Sequence, residues 1–268
     1  MNRTTGIAVG ACVAVLMMLV GCAIVPITGR RQLSLMSQSE LVGMAAQDYQ
    51  QFVLESTVSG DAGARRMVTD VGGRVSQATA AFMRENGMDY ELSLYDWEFE
   101  LIEDDAANAF CMPGGKIVVF SGLLPVAETE AGLAVVVAHE VAHAIANHGG
   151  ERMSQLLLAQ LGGMALSKAI EEKPEETQDL AMLAYGIGSQ VAVLLPYSRQ
   201  HESEADHIGL ILMAKAGYDP REALRFWQRM AAQSEGQPPE FLSTHPSHST
   251  RIEDIRVHMA EAIAIYES

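Results

Sequence analysis

The run Ala131 to Ala138 is apolar apart from Gly132, and it leads directly into His139-Glu140-Val141-Ala142-His143. That pattern predicts a buried helix. Residues four apart share a helix face, so His139 and His143 aim at one point. Glu140 sits about 100° further round. From there its carboxylate reaches a water at that point without being a ligand itself. Two histidines and a glutamate on a buried helix need partners, because an unpaired buried polar group costs about 2–7 kcal/mol. A metal ion supplies them. Zinc held this way acidifies water and polarises a carbonyl, and Glu140 can take the proton and hand it to a leaving amine. The plainer alternative is a helix face whose histidines are satisfied by hydrogen bonds alone.

A catalytic zinc usually takes three protein ligands. The third candidate lies in Ser198-Arg199-Gln200-His201-Glu202-Ser203-Glu204-Ala205-Asp206. Glu202 and Asp206 share a helix face. Glu202 is read as the third ligand. Asp206, one turn on, is placed to accept the free ring N–H of a ligating histidine and fix its tautomer. The competing reading is a solvated acidic face that includes Glu204.

These two segments together resemble the zinc metallopeptidase family that contains HtpX, the CAAX prenyl proteases, BepA and LoiP. Three more stretches resemble the same family in the same order: Thr28-Gly29-Arg30-Arg31-Gln32-Leu33, Asn108 to Val119, and Ser243-Thr244-His245-Pro246. The single-domain lipoprotein members are the nearest likeness. The resemblance implies an α+β fold, predominantly α-helical and zincin-like, with a small β-sheet beside the active-site helix. It also implies one Zn2+ per chain, held by His139, His143 and Glu202, with Glu140 catalytic and Asp206 behind them. The implied substrates are proteins and peptides, unfolded or misassembled envelope proteins above all.

The net charge of −16 argues against nucleic-acid binding, which needs cationic surface, and against loose electrostatic adhesion to anionic lipid. Hydrophobic residues make up 49% and charged residues 19%, which suits a packed globular domain. No internal repeat is visible. The N-terminus reads differently from the rest. Arg3 is followed by the apolar run Ile7 to Val20 and by Leu19-Val20-Gly21-Cys22, the pattern of a secretory signal that resembles a lipobox. The expectation is therefore a lipoprotein signal peptide over 1–21, a lipidated tether over 22–35 beginning at Cys22, and a metallopeptidase domain over 36–268. Alanine follows Cys22, which resembles sorting to a bacterial outer membrane, facing the periplasm and held there by the N-terminal lipid anchor. With Cys12 in the leader and Cys22 lipidated, only Cys111 remains, so no disulfide is expected. Cys111 is read as a small buried apolar side chain.

Along the chain, Ser37 or Ser39 caps a helix to about Leu54 with Leu41, Met44, Ala45 and Tyr49 on its apolar face. Ala64 to Asn86 forms a second helix, with Met67, Val71, Val75, Ala78 and Phe82 inward. Trp97 to Ile102, Ala109 to Met112 and Lys116 to Phe120 are strands, with a tight turn at Pro113-Gly114-Gly115. Asn108, Ala109 and Phe110 begin the edge strand that resembles the family's substrate-binding edge, where extended peptide adds to the sheet. The metal helix runs from Thr129 or Glu130 to about Asn147, and Gly149-Gly150 ends or bends it. Leu180 to Leu195 is uncharged, short for a membrane span, and is read as a buried helix in preference to a membrane-facing one. Pro196 stops it. Further helices cover Arg199–Ala216, Arg221–Gln233 and the stretch from Ser249 or Thr250 to Ile265.

Three roles are open to His245: a turn histidine bonded to backbone, a residue reaching zinc and holding the enzyme shut, or a donor to the tetrahedral oxyanion. Arg199 can pair with Asp206, meet a substrate carboxylate or anchor its helix. His148, His201, His207, His248 and His258 are read as surface or capping residues. The sum is a membrane-anchored periplasmic zinc metalloendopeptidase for protein quality control. The alternative is a zinc-containing lipoprotein chaperone or scaffold working with the outer-membrane assembly machinery.

Overall fold

The computed structural model describes residues 22–190, 194–232, 241, 245 and 251–268. The expected leader, 1–21, lies outside them, as does the side chain of Cys22. The chain divides into two compact units, where the sequence suggested one domain after residue 35. One unit takes Asn147–Pro196 together with the chain up to Ser37; the other takes Gln38–Ala146 and Tyr197–Ser268.

The larger unit carries a three-stranded sheet under helices. Its helices are α1 (Gln38–Glu55), α2 (Ala62–Glu85), α3 (Glu130–Ile145), α6 (Leu195–Lys215), α7 (Glu222–Ala232) and α8 (Arg251–Tyr266). The sheet order is β3-β5-β4, from Glu98–Ile102, Lys116–Phe120 and Ala109–Met112. Strand β3 runs parallel to β5, and β4 antiparallel to it. Every residue of β5 is buried, as befits a central strand that is apolar from Ile117 to Phe120, and Lys116 at its start is paired with Asp96 and Glu98. The hairpin turn needs Gly114 and Gly115, both at positive φ, and a Cβ on Gly115 would lie 2.6 Å from the Trp97 ring. On its outer side β3 is covered by residues 57–59: Val58 bridges Ile102, and the amides of Ser59 and Glu103 bond to Leu101 and Thr57. Among the described residues β4 pairs with β5 alone.

Helix α1 buries Leu41, Ala45 and Tyr49, while Met44, expected inward, is half exposed. Below it Phe52, Phe110 and Phe120 form an aromatic group, with Phe52 and Phe110 edge to face at 5.3 Å. Helix α2 is capped by Asp61, whose carboxylate accepts from the amides of Gly63 and Ala64. It buries the Val71, Val75, Ala78 and Phe82 face that its periodicity predicts. Thr129 caps α3 by accepting from the Gly132 amide at 3.1 Å. From Leu133 to Ala142 every α3 residue is buried, each large apolar side chain contributing about 1.5–3 kcal/mol.

The smaller unit contains the strand pair β1 (Cys22–Ile24) and β2 (Arg31–Leu33), antiparallel, and the helices α4 (His148–Ile170) and α5 (Glu175–Ser189). The metal helix ends at Ile145, within two residues of the expected Asn147, and the break is made by Asn147 itself, which takes the left-handed conformation at φ 53°. Asparagine tolerates that region through its short polar side chain, so Gly149-Gly150 fall inside the first turn of α4. His148 is buried rather than at the surface. Pro196 starts α6 instead of stopping the helix before it; in a first helical turn no N–H is lost. The uncharged stretch from Leu180 is not buried: Leu180 and Leu183 are 68% and 61% exposed.

Gly72 lets α2 pack directly on the β3 side chain Phe99. A Cβ there would lie 2.2 Å from the Phe99 ring. Gly72→Ala is expected to lose about 1–3 kcal/mol of stability through overpacking, and Phe99→Ala should recover part of it in a double-mutant cycle read by urea unfolding.

Candidate metal centre

Four side chains from three parts of the larger unit converge. His139 Nε2 lies 3.0 Å from His143 Nε2, both on α3. Glu202, on α6, places Oε2 3.4 Å from His139 Nε2 and Oε1 3.4 Å from His143 Nε2. His245 Nδ1 is 3.3 Å from His139 Nε2 and 3.2 Å from Glu202 Oε1. One donor atom from each of the four falls within 4.8 Å of all the others. His139 and Glu202 are buried.

Backbone contact sets this geometry. Gly209 on α6 packs on α3, where a Cβ would stand 3.2 Å from both the backbone nitrogen and Cα of His139. A side chain there would force the helices apart. Glu202 and Asp206 precede Gly209 on the same helix and are thereby brought to the histidine face of α3.

Asp206 Oδ1 accepts from His139 Nδ1 at 2.9 Å. That bond consumes the Nδ1 proton and leaves Nε2 as the atom facing the cluster. Arg251, at the start of α8 and 2% exposed, joins the two carboxylates: its guanidinium is 2.7 Å from Asp206 Oδ1 and 3.3 Å from Glu202 Oε2. It also lies 3.4 Å over the Trp227 ring, a cation–π contact in a desolvated setting. Phe241 stacks on His245 with centroids 4.5 Å apart and accepts the His245 amide at its carbonyl.

Burial pushes the His139 ring toward the neutral form, but the hydrogen bond and charge of Asp206 and the hydrogen bond of Glu202 outweigh it and lift the ring to about 9. Burial pushes the Asp206 carboxyl up, and Arg251 and His139 hold it below its ordinary value. For Glu202, burial is likewise overcome by the charge of His143 and by hydrogen bonds from the three histidines, so it stays well below the carboxylate range.

Glu140 is 3% exposed. Its Oε1 is buried with no hydrogen bond among the described residues, although His245 Nε2 stands 3.4 Å away. Strand β4 packs against α3, and the half-buried Cys111 thiol on it is pushed up by burial and then by the charge of Glu140.

These donors fit a zinc ion. Two imidazole Nε2 atoms 3.0 Å apart with a carboxylate beside both make a His, His, carboxylate set, which suits zinc. Of the residues singled out in the sequence, His139, Glu140, His143, Glu202, Asp206 and His245 come together, with Ala109 and Phe110 on the neighbouring strand and Asn108 just before it. Arg199 does not. It is exposed, and Arg251 makes the contact with Asp206 instead. Sequence spacing singles out Arg199 because it lies one turn before Glu202; Arg251 is separated from Asp206 by 45 residues. The available signal was physical: two buried carboxylates require a buried cation. His201 and Glu204 are also buried, against the solvated face considered for this helix.

The family model for "Peptidase family M48" matches residues 71–258. The chain belongs to peptidase family M48. That makes it a metallopeptidase by class, and its curated relatives are named as metalloendopeptidases and proteases. The mitochondrial metalloendopeptidase OMA1 of Schizosaccharomyces pombe is 40% identical over 169 residues, 62% of this chain and 48% of that protein. The human mitochondrial metalloendopeptidase OMA1 is 32% identical over 253 residues, 90% of this chain and 47% of that protein. The beta-barrel assembly-enhancing protease of Escherichia coli is 30% identical over 169 residues, 60% of this chain and 34% of that protein. The M48 chain thus spans about half the length, or less, of the curated relatives it matches.

These relatives correct the address read from the N-terminus. Three relatives that match the M48 chain over nine-tenths of its length are mitochondrial, which overturns the bacterial outer membrane facing the periplasm. That address rested on a leader pattern in 21 residues outside the described structure.

His139 in the metal-free protein carries a proton that a metal ligand cannot keep. Because its value is raised, the proton stabilises the metal-free fold fully below about 6.5, and this contribution is lost as pH rises through about 9. Zinc binding at neutral pH is therefore expected to release about one proton from this ring, with apparent affinity rising about tenfold per pH unit toward pH 9. Calorimetry in buffers of different ionisation enthalpy checks this. Arg251→Met should cost about 3–5 kcal/mol of stability, because it leaves Asp206 and Glu202 buried without their counter-charge; denaturant unfolding reads it.

Proposed function

We propose that the chain is a zinc metalloendopeptidase in which His139, His143 and Glu202 hold the zinc, Glu140 moves the proton and Asp206 orients His139. The observation that carries this reading is the convergence of His139 Nε2, His143 Nε2 and the Glu202 carboxylate in a buried cluster. Zinc, when bound, supplies the Lewis acidity that activates water and polarises a scissile carbonyl. Glu140 takes the proton from the attacking water and returns it to the leaving amine. Its buried, unbonded Oε1 leaves an acceptor free for that work. Asp206, backed by Arg251, keeps the His139 ring turned so that Nε2 faces the zinc.

The substrate is extended polypeptide, and unfolded or misassembled protein supplies it in that form. Strand β4 has an unpaired edge among the described residues, while β3 is already covered by residues 57–59. A peptide added along Asn108–Met112 lies beside Glu140. His245 is a fourth donor in the cluster and also faces Glu140, so it occupies space that an incoming carbonyl and water need. It acts as a restraint, and its replacement opens the site.

Casein cleavage by the purified chain, with zinc counted, tests these roles. Glu140→Gln is expected to keep about one zinc per chain and to lose about 10²–10⁴-fold in rate. Full cleavage by Glu140→Gln would refute the assignment. His245→Ala is expected to raise cleavage about tenfold, the weight of one charge-assisted hydrogen bond of about 1.4 kcal/mol. An unchanged or lowered rate removes the restraint from the proposal and leaves the oxyanion role for this histidine.

A further inference from the structure

The smaller unit is built inside out. In α4, Met153 to Ser167 contains no charged residue, and in α5 neither does Leu180 to Ser189. Large apolar side chains of this band stand in the open: Leu156 and Leu161 are 48% and 46% exposed, Met164 61% and Ile187 58%. At the seam two glycines of α4 face Tyr185 and Met182 of α5. Gly162 and Gly163 pack on Tyr185, and a Cβ on Gly162 would lie 2.2 Å from the Tyr185 oxygen. The Tyr185 hydroxyl donates across the seam to the Ala159 carbonyl at 2.7 Å. Close helix approach over glycines, a hydrogen bond across the seam and large apolar side chains left outside are features of helices packed in lipid.

Three features indicate what covers this surface. Leu156, Leu157 and Leu158 are consecutive and all exposed, so at about 100° per residue they face most directions around α4. A protein groove takes one narrow stripe of a helix; the acyl side of a lipid interface accepts a face this broad. Charge is confined to the ends of the band, with Glu151 and Arg152 at the base and Lys168, Glu171, Glu172, Lys173, Glu175, Glu176 and Asp179 around the tip. Last, the chain entering the unit comes from the apolar run Ile7 to Val20 and is fastened to the base of α4. Arg30 pairs with the buried Glu151 at 2.7 Å, and Ser154 accepts the Leu35 amide at 2.9 Å.

We propose that the α4–α5 hairpin beds its uncharged band in the boundary between lipid headgroups and acyl chains. It lies in the interface and does not cross. The uncharged part of α4 is about 22 Å long by helix rise against a hydrocarbon core of about 30 Å, and no described single helix is long and apolar enough to span. The acidic tip stays in water, so the attraction is apolar and tolerates zwitterionic lipid. This inference rests on the smaller unit alone and is independent of the metal cluster.

The test is site-specific photocrosslinking. The full chain, with benzoylphenylalanine in place of Leu161, Leu183 or Glu172 in separate preparations, is reconstituted with phosphatidylcholine vesicles and irradiated. The expected result is a phospholipid adduct at Leu161 and Leu183, lost when the probe moves to Glu172 at the tip. Adduct yield should hold at about 1 M salt, where charge is screened beyond about 3 Å. The N-terminal run alone, holding the chain near a vesicle, would not produce that positional difference. Crosslinks from Leu161 and Leu183 to a second copy or within the chain, or equal lipid adducts at all three positions, overturn the proposal.

Discussion

Helices α3 and α6 meet backbone to backbone at Gly209, and everything in the metal cluster depends on that contact. The absent side chain lets α6 reach the backbone of His139. Turns away along α6, Glu202 and Asp206 then fall on either nitrogen of the same imidazole: Glu202 toward Nε2 and Asp206 on Nδ1. One ring is thereby gripped at both ends. A histidine held that way has no freedom to turn or to choose another tautomer, which is the preorganisation a metal site needs.

The grip is electrostatically costly. Glu202, Asp206, His139 and Arg251 are each no more than 6% exposed, and removing charges from water costs several kcal/mol per ion. Arg251 makes the arrangement tenable by lying between the carboxylates and against the face of Trp227. Such a cluster is a poor way to stabilise a fold and a good way to hold ligands in one position. The apolar bulk of α3, β5 and α2 supplies the stability, and the cluster draws on it.

Much of this was legible in the chain. The helix of His139 and His143, the Glu202–Asp206 pair, the three strands and the helices α1 and α2 follow from local periodicity and turn chemistry, and the structure places them within a few residues of expectation. Local reasoning went astray where a longer-range fact decided. Arg199 was favoured because it is near in sequence, but ion pairs inside a core are chosen by packing. His148 and His201 are buried although nothing in their spacing requires it. A glycine inside a helix is unfavourable by local propensity, yet Gly72 is where the Phe99 ring fits. The leader pattern led to a bacterial envelope address that the mitochondrial relatives overturn, since a targeting segment is read apart from the domain it carries.

The sequence by itself determined the chemistry: which residue types can hold a metal, which carboxylate is free to move a proton, and that α3 must be buried. Those follow from helical spacing and from the cost of burying polar groups, and both are local. Only the tertiary structure decided that residues 57–59 cover the outer side of β3, that Arg251 is the counter-charge, that His245 reaches the cluster, and that the uncharged band of α4 and α5 faces outward. Each of these is a choice among segments far apart in the chain. Packing makes that choice through close approach at single positions, and composition carries no record of it.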